Sequence, residues 1–168
     1  MRVGLLSDTH GFLDEAIFRF FEACDEVWHA GDFGPNVLDR LMAFKPLRGV
    51  YGNIDGADIR SEFPAELSWQ SELVRVYMTH DGGKPGSYKR GIKRALIRHR
   101  PDLFICGHSH IACVIRDTEL QLLHMNPGAC GRVGWHQKRT VLRFQVNDRR
   151  VDRLELIELG PRSAKAKD

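Results

Sequence analysis

Three short apolar runs near the start of the chain, at 3–7, 26–30 and 47–51, each break off into a polar or glycine-rich cluster. Between them, apolar residues fall at helical spacing: Leu13, Ala16, Ile17, Phe20 and Phe21, then Val37, Leu38, Leu41 and Met42 behind Pro35. Runs of that length are strands, and the spaced residues are one face of a helix. A β-α-β-α-β opening requires a largely parallel sheet, with its working loops at the carboxyl ends of the strands.

The rhythm then changes. Residues 66–70 and 73–79 read as paired strands around Gln70-Ser71, and 87–100 as a helix with Tyr88, Ile92, Ala95 and Leu96 inward, ending before Pro101. Strands are expected at 102–106, 112–116, 120–125, 140–146 and 151–159, with antiparallel pairing in this later part. The expected architecture is α/β: two packed sheets with helices outside, forming one domain over 1–160. A small charged tail at 161–168 is expected to be disordered.

Composition narrows the function classes. In 168 residues, 25 basic and 22 acidic side chains give a net charge of +3, too balanced for a disordered polyelectrolyte. The balance hides an asymmetry: residues 1–66 carry 12 acids and 6 bases, residues 67–168 carry 10 acids and 19 bases. Cys24, Cys106, Cys113 and Cys130 form no paired motif and read as buried free thiols of a reducing compartment. The apolar start is interrupted too early for a signal peptide, and no apolar run is long enough to span a bilayer; the expectation is a cytoplasmic protein without membrane partners.

The strand ends carry the chemistry. Asp8-Thr9-His10 follows the first strand, Gly31-Asp32 the second and Gly52-Asn53-Ile54-Asp55 the third; Thr79-His80 and Gly107-His108-Ser109-His110 follow later ones. Carboxyl ends of strands in one sheet share an edge, so these segments converge four imidazoles, two carboxylates and an amide. Without a thiolate, that donor set suits a pair of divalent cations such as zinc, iron(II), nickel or manganese, of which manganese is the leading expectation. Two such ions less two carboxylates leave about +2 for the site, which attracts phosphate and makes hydroxide available near neutral pH. In-line attack on phosphorus is the natural reaction.

Asp8-x-His10, Gly31-Asp32, Gly52-Asn53-x-Asp55, His80 and Gly107-His108-x-His110, in this order, resemble the calcineurin-like metallophosphoesterase superfamily, in particular its small single-domain bacterial and archaeal phosphodiesterases. The resemblance spans about 1–159. It implies an α/β/β/α sandwich of two mixed sheets, with Asp8, His10, Asp32 and His110 holding one metal and Asp32, Asn53, His80 and His108 the other. Asp32 would then bridge, with a metal-bridging hydroxide as nucleophile and His10 or a neighbour assisting the leaving group. Asp55 is expected to orient the ligands from behind.

Two departures bear on substrate. Many phosphatases of the family have a histidine after the ligand asparagine, where it acts as general acid; this chain has Ile54, which favours good leaving groups. Asp81 follows His80 where the small branch often has glycine; its charge would orient His80 or repel a phosphate dianion. Arg132, beyond the Asn126-Pro127-Gly128-Ala129 turn, is a substrate candidate together with His136 and Arg139, whereas His29, His99 and His124 read as structural or surface residues. Seven bases without an acid between Lys84 and Arg100 read as a solvated face more than a nucleic-acid groove, for want of interleaved aromatics.

The leading expectation is a phosphodiesterase acting on a small phosphodiester or nucleotide. A phosphomonoesterase is the near alternative, and a non-catalytic scaffold resembling the retromer subunit Vps29 the distant one, because all seven ligand positions are filled. Homo-oligomerisation and nucleic-acid binding are left open.

Overall fold

The computed structural model describes residues 1–163. The first sheet is built on three parallel strands, β1 (Arg2–Leu6), β2 (Glu26–His29) and β3 (Leu47–Gly49), linked by helices α1 (Glu15–Phe20) and α2 (Leu38–Phe44). A third helix, α3 (Ala57–Glu62), leads to a strand pair, β4 (Glu66–Ser71) and β5 (Val74–Thr79). A small hairpin follows, β6 (Gly83–Lys84) with β7 (Ser87–Tyr88), then α4 (Ile92–His99), β8 (Leu103–Ile105), β9 (Ala112–Asp117) and β10 (Leu122–Pro127). The chain finishes with β11 (Lys138–Asn147) and β12 (Arg150–Pro161).

Strand order is β12-β11-β1-β2-β3 in one sheet and β4-β5-β8-β10-β9 in the other. Both sheets are mixed. β9 with β10 and β11 with β12 pair antiparallel as expected, but β5, β8 and β10 run parallel, which corrects the expectation for those three. The reason is topological: β5-α4-β8 is a crossover unit, and β9 lies antiparallel at the edge, so that β10 returns beside β8.

The period-two alternation of the strands sorts side chains between two layers. Val3, Leu5 and Trp28 face Val76, Met78, Leu103, Ile105 and Met125 across the sheet interface. Their neighbours Leu6 and Val27 point outward and are covered by Ile17 of α1, Leu41 of α2 and Ile59 of α3. On the other flank, Tyr77, Phe104 and Leu122 are covered by Ile92, Ala95 and Leu96 of α4. The result is the expected α/β/β/α sandwich.

The helix expected over 87–100 is shorter at its start. Ser87 and Tyr88 pair with Lys84 and Gly83, and Gly91, at φ 93°, breaks the chain before Ile92. Tyr88 still packs on the α4 cluster, its hydroxyl donating to Asp117 Oδ2 at 2.5 Å, so its helical spacing was coincidental. The strand expected from 120 begins at Leu122, because Asp117 Oδ1 caps the Glu119 and Leu120 amides in a turn. Cys24, Cys106 and Cys130 are buried, but Cys113 on the edge strand is half-buried, a correction to its reading as core. β12 runs past the boundary at 160, and the Arg162 amide donates to Gln137 O at 2.9 Å; of the tail, residues 164–168 lie outside the described residues.

Candidate metal centre

Ser7-Asp8, Ala30-Gly31-Asp32, Val50–Asn53, His80 and Cys106-Gly107-His108 each sit just beyond a parallel strand of one sheet or the other, so both sheets deliver residues to one edge. Local backbone is bent to do this. Among the described residues eleven non-glycine positions have positive φ, and five of them are Asp8 (55°), His10 (46°), Asp32 (59°), His108 (65°) and His110 (59°). Left-handed backbone costs an L-residue about 1–2 kcal/mol, and its concentration here marks a site where geometry is held against local preference.

The side chains gather into two groups, Asp8 with His10 and His110, and Asp32 with His80 and His108, each with donor atoms within 4.8 Å of one another. Asp32 Oδ2 belongs to both neighbourhoods: it lies 3.6 Å from His10 Nε2 and 3.3 Å from His80 Nε2. Asn53 Oδ1 completes the second group, 3.1 Å from His80 Nε2 and 3.0 Å from His108 Nδ1. Thus all seven sequence-predicted ligand residues lie close together.

One atom tests whether these groups suit cations. Asp8 Oδ2 accepts from the Ser7 hydroxyl at 2.6 Å and the His108 amide at 3.1 Å, which fixes the carboxylate. Its Oδ1 is buried without a hydrogen-bond partner, 3.2 Å from His110 Nε2 and 3.9 Å from both His10 Nε2 and His80 Nε2. A buried carboxylate oxygen left bare is costly unless a positive charge faces it, and imidazole nitrogens converging on it complete a divalent-ion donor set. The residues fit the implied metals.

The shell behind the ligands is equally determined. His80 Nδ1–H donates to Ala30 O at 2.7 Å, leaving the Nε2 lone pair to face the site. Burial pushes the His80 pKa down, but the hydrogen bond its protonated ring donates to Asp32 and the charges of Asp8 and Asp32 outweigh it and hold the pKa above its usual value. Burial alone would raise Asp32; the His80 hydrogen bond and charge, and the Ile54 amide at 3.0 Å, bring it below the usual range. Asp55 accepts from the Gly52 amide at 2.8 Å and the Gly34 amide at 3.1 Å, clamping the loops that carry Asn53 and Asp32 without entering either group. A Cβ on Gly107 would stand 2.0 Å from Ser7 Oγ and one on Gly31 2.5 Å from His80 Nδ1, so glycine is required at both.

The remaining candidates divide. His136 lies edge-on to His110, ring centroids 5.3 Å apart, and so borders the site; Arg132 is exposed, with its guanidinium over Phe12 at 4.1 Å. Arg139 does not reach it, a correction to its reading as a substrate residue: its guanidinium binds Asp14 Oδ2 at 2.7 Å, Leu159 O at 2.9 Å and Pro161 O at 3.1 Å, and the residue is 5% exposed. His10 Nε2 points inward, 3.3 Å from His110 Nε2. Asp81 faces His108 Nε2 at 3.8 Å and Lys89 at 3.2 Å, and so serves His108 rather than His80.

His29, His99 and His124 lie apart from both groups, as expected. His29 is fully buried, accepts from the Gly31 amide and bonds Thr9 Oγ1 at 3.0 Å; burial lowers its pKa to about 3, which keeps it neutral. Sequence reasoning missed Asn126, whose amide donates to Gly107 O at 2.8 Å and Ser109 Oγ at 3.1 Å and so shapes the turn bearing His108 and His110. Its only signal was its place before Pro127-Gly128, the kind of turn whose asparagine bonds backbone.

The family model of the calcineurin-like phosphoesterase superfamily domain matches residues 1–149. The chain belongs to the calcineurin-like phosphoesterase superfamily. No curated protein matches it by sequence. Similar solved structures include an archaeal phosphodiesterase, with TM-score 0.75 and 23% identity over 95% of this chain and 100% of that one. Another is zinc-complexed Vps29 of Entamoeba histolytica, with TM-score 0.72 and 14% identity over 94% and 99%. A third, from Streptococcus pneumoniae, is described as a predicted phosphoesterase, with TM-score 0.65 and 18% identity over 94% and 97%. At these identities the likeness shows the fold of this superfamily member. No helix among the described residues is long and apolar enough to cross a membrane.

Proposed function

We propose that the protein is a dinuclear, metal-dependent phosphoesterase that prefers phosphodiesters. The observation that carries this reading is Asp32 Oδ2, a single carboxylate oxygen within 3.6 Å of imidazoles from both donor groups. Asp8, His10, Asp32 and His110 would hold one ion and Asp32, Asn53, His80 and His108 the other, manganese foremost among manganese, zinc, iron(II) and nickel. Two bound divalent ions polarise phosphoryl oxygens and supply hydroxide from water near neutral pH.

The chain's own residues set the rest. Ser7, the His108 amide and Ala30 O fix Asp8 and His80, so the donors are aligned before any ion arrives. Ile54 is 46% exposed where relatives place an acid, so the leaving group takes its proton from water, and esters of acidic alcohols turn over fastest. The Asp81 carboxylate beside His108, partly offset by Lys89 at 3.2 Å, adds negative charge next to the Asp32–His80–His108 group, which disfavours the dianion of a monoester more than the monoanion of a diester.

The experiment compares kcat/KM for bis-p-nitrophenyl phosphate and p-nitrophenyl phosphate in the manganese-loaded protein. The reading expects the diester to be preferred and Asp81→Asn to narrow the preference. A preference for the monoester would make it a phosphomonoesterase. Absence of hydrolysis with every divalent ion would leave the scaffold reading.

A further inference from the structure

A cavity of about 420 Å³ opens beside His108, outside both donor groups. One wall is the β6–β7 hairpin, which contributes Lys84; Lys89 follows it. The facing wall is apolar, formed by Ile111, Cys113 and Ile115 at the start of the edge strand β9. Ile111 is 67% and Ile115 44% exposed, large apolar groups at a sheet edge with no cover among the described residues. His124 lines the same cavity; it is 1% exposed, and its Nδ1 has no hydrogen-bond partner.

These features have one chemical reading. The volume lies within the range of small-molecule pockets, about 300–1,000 Å³, and the combination of an apolar wall with a few polar groups is the usual make-up of such sites. Two lysines at the mouth favour an anionic ligand, of which only Lys89 is already paired, with Asp81 at 3.2 Å. His108 is shared between the cavity and the Asp32–His80 group, so a phosphate held there directs its substituent along the apolar wall. The unsatisfied His124 nitrogen favours a heterocycle with hydrogen-bonding atoms over a plain hydrocarbon ring.

We propose that this groove receives the nucleoside of a nucleotide ester while its phosphate rests at the Asp32–His80–His108 group. The proposal rests on the phosphoesterase reading above. It assigns two of the seven bases between Lys84 and Arg100 to substrate capture, and Lys93 is bound to Glu119 at 2.6 Å.

Cys113 provides a readout independent of hydrolysis, because it lines the groove and the other three cysteines are buried. The manganese-loaded full chain is treated with limiting N-ethylmaleimide at mildly alkaline pH, and Cys113 labelling is followed by mass spectrometry with AMP, phenyl phosphate or inorganic phosphate present. At about four times its Kd, AMP should slow labelling about fivefold. Phenyl phosphate should slow it less, and inorganic phosphate not at all. Ile115→Glu, at the rim, should abolish the AMP effect.

No slowing at any AMP concentration, with metal-dependent diester hydrolysis retained, overturns the groove and leaves the phosphoesterase standing. Slowing by AMP without metal-dependent hydrolysis of any ester keeps the groove and removes the phosphoesterase reading. Equal slowing by phenyl phosphate overturns the nucleoside assignment, and equal slowing by inorganic phosphate overturns any role for the ring.

Discussion

Asp32→Asn isolates the shared carboxylate with little other disturbance. The replacement is isosteric, and its amide oxygen can keep the bond that Oδ1 now accepts from the Ile54 amide at 3.0 Å. What is lost is the charge and the Oδ2 lone pair between His10 and His80. In the wild type, an ion at 100 times its Kd stabilises the fold by about 2.7 kcal/mol, so two contribute about 5 kcal/mol. For a chain of this size each kcal/mol raises Tm by about 2–4 °C, which gives a manganese-dependent increment of about 10–20 °C.

Loss of a ligand common to both ions should weaken each at least about 100-fold, the upper end of what loss of a merely supporting partner costs. At the same manganese concentration each ion then stands near its Kd and adds only about 0.4 kcal/mol. The predicted increment for Asp32→Asn is therefore about 2–3 °C. Differential scanning calorimetry with and without manganese reads this directly, and taking the increment removes any change in the metal-free fold. A variant that keeps the wild-type increment refutes the shared role of Asp32. One that loses about half shows a ligand to one ion only.

Other residues give separate tests. Gly31→Ala should remove most of the manganese increment, because its Cβ would meet the His80 ring, which the 2.7 Å bond to Ala30 O holds in place; an unchanged increment would contradict that packing. Arg139→Leu should lower stability by about 2–3 kcal/mol by leaving the Leu159 and Pro161 carbonyls and the partly exposed Asp14 without their buried donor, with kcat/KM of the folded fraction unchanged; a selective rise in KM would return Arg139 to the site. His124 is held neutral by burial, with its pKa lowered from 6.5 to about 4. The unfolded chain takes up that proton first, so acidification from about pH 6.5 toward 4 destabilises the fold, by about 2 kcal/mol at pH 5. Urea melts at pH 7 and 5 should show that difference reduced in His124→Phe, and an equal pH dependence in both proteins would refute the burial argument.

The candidate ligand residues were legible because their signal is positional. Each follows a strand, and strand ends in one layer share an edge, which gathers Asp8, Asp32 and Asn53 at the first sheet and His80 and His108 at the second; that the two edges meet depends on how the sheets pack, which the strand pattern does not carry. What sequence could not give depends on partners far along the chain. Arg139 looks like any basic loop residue until Asp14, 125 residues away, is seen to take its guanidinium. Tyr88 sits at helical spacing from Ile92, yet a two-residue hairpin has too short a period to register, and only the φ of Gly91 separates the two outcomes. α3 was missed because Ala57–Glu62 carries a single core residue, Ile59. The parallel run of β5, β8 and β10 was hidden because β9 intervenes in sequence but lies at the edge in space.

The acidic first half also takes on a definite meaning. Two of its acids, Asp8 and Asp32, are buried at the centre, and Asp55 clamps the loops behind them. The basic second half supplies Lys84 and Lys89 beside His108.

The most direct test of the dinuclear assignment is a count of bound manganese made alongside the hydrolysis rate. Protein stripped with chelator is given manganese stepwise, bound ion is measured by elemental analysis, and bis-p-nitrophenyl phosphate hydrolysis is recorded at each step. The account predicts two ions per chain, no hydrolysis in the stripped protein, and full rate only when both are bound. Saturation at one ion, or hydrolysis that persists in chelator, would contradict it.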